Sequence, residues 1–120
     1  MSHDIGALRA LNAAAESARC EYERLTMVLG DAIRRALTEA FGDPGGGWSV
    51  GKSILYVQFD YDHDGWRAAG TADEDGDIEA WVEVRAVTPR SAVTQALAAL
   101  AVTHPTEAAA LAAVIPPEAP

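Results

Sequence analysis

From Ile5 onward, the apolar and small residues Leu8, Leu11, Ala15, Ala18, Tyr22, Leu25, Leu29, Ile33, Leu37 and Ala40 recur at steps of three and four, the spacing of one helix face. Ser2 or Asp4 can cap the start, and Phe41-Gly42-Asp43-Pro44 followed by three glycines ends the helix. The stripe stays in phase across Gly30-Asp31, so the spacing predicts one helix over 4–41. Its weak point is Gly30, which costs about 1 kcal/mol relative to Ala. A Gly-rich linker over 42–47 follows.

Such a helix would be about 57 Å long at 1.5 Å per residue. A compact domain of this length has a radius of gyration of only about 14 Å. An apolar stripe that outruns its domain needs a cover, and the commonest one is a second copy about a two-fold axis. Homodimerisation is therefore expected through Leu8, Leu11, Tyr22, Leu25 and Leu29. The alternative is a bend at Gly30 that lays the stripe on the protein's own sheet.

Beyond the linker the period changes to two. In Ile54–Tyr61 the residues Leu55, Val57, Phe59 and Tyr61 share one face, and Ile54, Tyr56, Gln58 and Asp60 the other. Trp66–Thr71 reads as a short strand between two acidic turns. Ile78–Val87 is the next strand, with Ile78, Ala80, Val82, Val84 and Ala86 opposite Glu79, Trp81, Glu83, Arg85 and Val87. Short turns make these an antiparallel meander of three strands. Thr88-Pro89 supplies an N-cap and a first-turn proline for a helix through Val102, and Glu107–Ile115 reads as another before Pro116-Pro117. The expected fold is a single α+β domain over 1–115. It has a long N-terminal helix, a three-stranded sheet within 48–87, one or two helices within 89–115, and a Pro-rich tail at 116–120.

Charge narrows the function classes. The 120 residues carry 18 acidic and 9 basic side chains, a net charge of -9. This disfavours nucleic-acid backbones and anionic membranes, both of which demand Lys/Arg clusters. The order helix, three strands, helix is similar to that of double-stranded-RNA-binding domains, but their basic helix-end cluster is missing and the function does not follow. Small acidic α+β dimers also include bacterial secretion chaperones, an analogy of fold that transfers no residue. A lone cysteine, Cys20, and an N-terminus without a secretory pattern point to the cytoplasm. The longest apolar runs, Ala96–Val102 and Ala108–Ile115, fall far short of the roughly 18–20 residues of a membrane span.

Several motifs touch on chemistry. Gly46–Ser53 fits the phosphate-loop pattern G-x-x-x-x-G-K-[ST], with Gly51, Lys52 and Ser53 as nucleotide ligands. That pattern needs a following helix whose N-terminus attracts phosphate, and here a strand follows. Asp60, Asp62 and Asp64, with Gly65, reproduce the first half of a calcium loop, making calcium the one cofactor to consider. The twelfth position, which should be a bidentate Glu, is Thr71. Asp73, Glu74, Asp75 and Asp77 form a second carboxylate cluster, placed by the meander at the opposite end of the sheet. No catalytic set emerges: the three histidines lack ligand spacing, and Cys20 falls mid-helix, away from an activating N-terminus.

The outer sheet face is more informative. Tyr56, Gln58, Trp81, Glu83 and Arg85 make a mixed aromatic and charged surface of the kind enriched at interfaces, provided that no C-terminal helix covers it. Residues 48–88 carry nine acidic and three basic side chains, about two-thirds of the net charge. The reading is a non-enzymatic interaction module, an adaptor, inhibitor or chaperone-like homodimer. It would dock a basic protein surface on Tyr56, Gln58, Trp81, Glu83, Arg85 and the Asp73–Asp77 turn.

Overall fold

A computed structural model describes residues 4–42, 46–73 and 80–117. The order of elements is α1 (Ile5–Phe41), β1 (Gly47–Val50), β2 (Ser53–Asp60), β3 (Gly65–Ala72), β4 (Ala80–Ala86), α2 (Pro89–Thr103) and α3 (Pro105–Val114). The fold is α+β, with a long N-terminal helix and an antiparallel sheet in the order β1-β2-β3-β4. The chain divides into two compact units, Met1–Arg34 and Arg35–Pro120.

Among the described residues the sheet has four strands, one more than the pattern predicts. Gly47–Val50 pairs with Ser53–Tyr56 through the two-residue turn Gly51-Lys52. Gly51 has φ 59, a left-handed conformation that glycine adopts without cost and that a two-residue hairpin requires. The four residues Gly47-Trp48-Ser49-Val50 are too few to establish alternation, which is why this edge strand escapes a periodicity reading. The other differences are at boundaries. β3 extends to Gly65–Ala72, and α3 opens at Pro105 rather than Glu107, since proline lacks only an N–H that a first turn leaves unbonded anyway. Ile78 and Glu79, assigned to the last strand, lie outside the described residues, as do 43–45 of the linker and 118–120 of the tail.

In the first unit, Asp4 caps α1 by accepting from the Ala7 N–H at 2.6 Å. Ion pairs between neighbouring turns stud the helix: Arg19 with Glu16 and Glu23, Arg24 with Glu21, and Arg34 with Asp31. No described residue up to Arg34 is buried.

In the second unit the core lies between one sheet face and the pair α2 and α3. Pairing aligns Trp48, Leu55, Gly70 and Val82 in one row across the sheet, and Val57, Ala68 and Val84 in the next. Leu55, Ala68, Ala92, Ala96, Leu100 and Leu111 are essentially sealed from solvent. The alanines let α2 sit close to the strands, and Gly70 makes room for Leu55: a Cβ there would meet Leu55 Cδ1 at 2.9 Å. Arg90 fastens the start of α2. It donates to the Ala40 and Pro116 carbonyls at 2.6 and 2.8 Å and stands 4.8 Å from the centre of the Phe41 ring. Phe41 in turn meets Trp48 edge to face.

Candidate functional site

Both C-terminal helices pack on the face bearing Leu55 and Val57, and on the opposite face Ile54, Gln58, Trp81, Glu83 and Arg85 are exposed. Three cross-strand rows build it: Ile54–Thr71–Trp81, Tyr56–Ala69–Glu83 and Gln58–Arg67–Arg85. The rows grade from apolar to charged. Trp81 is 54 % exposed and Ile54 43 %, while Thr71 between them is buried by its taller neighbours. Beside Tyr56 and Ile54, β1 contributes only the small residues Gly47 and Ser49.

At the charged end one carboxylate organises the rest. Asp60 is at the last position of β2, with its side chain only 11 % exposed. Its Oδ2 accepts from Arg85 Nε at 2.9 Å and from His63 Nδ1 at 3.0 Å, and its Oδ1 accepts from the Asp62 N–H at 3.1 Å. Arg85, foremost, lowers the Asp60 pKa to about 2, and reciprocally Asp60 raises that of Arg85. Arg85 also reaches Glu83, which Arg67 approaches from β3 at 3.4 Å. The described charges on this face are thus mutually paired, and the face takes its character from Trp81, Ile54 and Tyr56.

The structure brings together Tyr56, Gln58, Trp81, Glu83 and Arg85. Ile54 and Arg67 join them, although the chain alone did not mark either as part of the site. Ile54 was legible as an apolar residue on the polar face of a strand. Arg67 was not, because Arg67-Ala68-Ala69-Gly70 puts small residues on both faces and has no alternation to read. Of the acidic cluster, Asp73 is half-buried beyond the end of β3, its N–H donating to Ser53 Oγ, while Glu74, Asp75 and Asp77 lie outside the described residues.

The phosphate-loop motif is built as strand, turn, strand. Gly51 and Lys52 form the hairpin turn, Ser53 is buried at the start of β2, and no helix N-terminus follows. Lys52 and Ser53 share a shallow concavity with Asp73 and Glu107, whose negative charge opposes phosphate. The aspartates of the calcium motif do not assemble either. Asp60 is turned to Arg85 and His63, and the described residues contain no group of three or more His, Cys, Asp or Glu able to hold a metal. Asp64 stands at φ 48, closing the turn into Gly65.

No described helix is long and apolar enough to cross a membrane. Comparisons of the chain with known protein families, curated proteins and solved structures return no match.

Proposed function

We propose that this chain is a non-enzymatic interaction module, an adaptor, inhibitor or chaperone-like protein, that docks a protein partner on the open sheet face and works as a homodimer. The observation that carries the reading is Trp81, exposed next to Ile54 and Tyr56 on the face opposite the one that α2 and α3 cover. An exposed aromatic residue beside apolar neighbours, flanked on one side by paired charges, is the composition from which interface anchors are drawn. The acidic balance of residues 48–88 favours a partner with a basic surface and speeds its approach. Self-association rests on the exposed stripe of α1, where Leu8, Leu11, Tyr22, Leu25 and Leu29 are 40–71 % exposed.

The test is affinity capture from the source organism with wild-type protein and with Trp81→Ala. Trp81 also covers its cross-strand partner Thr71, so the substitution should cost about 1 kcal/mol, and a retained cooperative denaturation transition shows that the variant is folded. Loss of a specific, salt-sensitive partner with Trp81→Ala supports the reading. Equal capture by both proteins, or none by either, removes the sheet face from the mechanism.

A further inference from the structure

The exposed stripe of α1 has a finer pattern than apolar against polar. Leu8, Ala15, Tyr22 and Leu29 are spaced by seven, as are Leu11, Ala18, Leu25 and Ala32, and the second set follows the first by three. These are the two seam positions of a coiled coil. All eight residues are solvent-exposed. Most helical stability in proteins comes from packing of the amphipathic face, so this exposed seam calls for a partner.

Large and small residues are distributed unevenly along it. If two copies run parallel, each seam residue meets itself, and Ala15 and Ala18 form two successive underfilled layers directly before a Tyr22–Tyr22 layer. Voids and crowding side by side are the costly arrangement. If two copies run antiparallel with residue 20 at the level of its counterpart, Ala15 faces Leu25 and Ala18 faces Tyr22. In the outer layers Leu8 faces Ala32 and Leu11 faces Leu29. Every layer then holds at least one large side chain, and none holds two alanines. On the flank, Val28 meets Ala14, again large against small.

Charge is compatible with the same occupant. Residues 5–34 carry four acidic and four basic side chains, with Glu16, Glu21, Glu23 and Asp31 all paired to arginines of the same helix. The helix thus brings no net charge to a copy of itself, and it offers none to attract a strongly basic or acidic partner.

We infer that α1 forms an antiparallel two-stranded coiled coil with a second copy of this chain, centred on residue 20, with Ala15 and Ala18 as sockets for Leu25 and Tyr22. The inference rests on the homodimer proposed above and adds orientation and register to it. The test uses the full chain carrying Cys20→Ser, with Leu11→Cys in one preparation and Leu29→Cys in another. Sedimentation of the unsubstituted chain and of each preparation under reducing conditions, over a range of concentrations, first establishes the oligomeric state. Disulfides are then formed, in each preparation alone and in their mixture after subunit exchange.

Positions 11 and 29 are about 27 Å apart along a helix, far beyond disulfide reach, so only the correct orientation brings them together. The antiparallel pair gives crosslinked dimer in the mixture, on the order of tenfold more than in either preparation alone. Dimers that crosslink within each single preparation overturn the orientation and leave the homodimer standing. Dimers that crosslink in neither case overturn the register. Monomers of the unsubstituted chain at all concentrations overturn both readings.

Discussion

Asp60 shows how one residue acquires a role that its neighbours in sequence do not suggest. Placed among alternating aspartates it looks like a cation ligand, yet Arg85, twenty-five positions away, occupies its carboxylate. Its folded pKa, about 2, lies below the ordinary 3.8, so the charged form is favoured by folding. The stability it contributes is complete above the ordinary value and is lost as pH falls through about 2. Urea midpoints of wild type and Asp60→Asn should therefore differ at pH 7 and converge as the pH approaches 2. A gap that persists unchanged at low pH would disconnect the carboxylate from stability. Gly70 is the second informative residue. Gly70→Ala drives a methyl into Leu55 in a packed row and should cost about 1–3 kcal/mol in chemical denaturation, even though the backbone itself accommodates alanine.

Elements are held by caps and by one arginine. Thr88 accepts from the Ser91 N–H at 3.1 Å, and Thr88→Ala should lower stability by about 1 kcal/mol, read from the denaturation midpoint. Arg90 ties the last turn of α1, the first turn of α2 and the chain after α3 through two carbonyls and the Phe41 ring. A lysine keeps the charge but has neither the planar fork nor the stacking surface. Arg90→Lys should accordingly cost about 1.5–3 kcal/mol, and recovery of wild-type stability by lysine would show that charge alone suffices. The elements themselves were largely legible. α1, β2 and α2 follow from a period of 3.6, a period of 2 and the Thr-Pro start signal. β1 was not, because a four-residue edge strand has too little sequence to show a period; its pairing with β2 decides it.

At the scale of the whole molecule, two apolar surfaces are unaccounted for within one chain: the stripe of α1 and the Ile54–Trp81 patch. A dimer built on the stripe has a stability linked to protein concentration. Thermal unfolding over a hundredfold dilution should shift to lower temperature, and Leu25→Glu should abolish that dependence. A concentration-independent transition in the wild type would count against self-association. The candidate face was half legible. Tyr56, Gln58, Trp81, Glu83 and Arg85 could be assigned to one side of their strands, but whether that side was open depended on where α2 and α3 packed.

Whatever depends on local spacing could be read along the chain: helix and strand periods, caps, the acidic balance and the alternating faces of β2 and β4. These follow from geometry within a few residues. Which sheet face is covered, and that Asp60 answers to Arg85, became visible only in the folded chain, because the cover and the counter-charge come from elements distant in sequence. That the glycine-lysine-serine motif closes a hairpin rests on the pairing of a four-residue strand too short to show a period of its own.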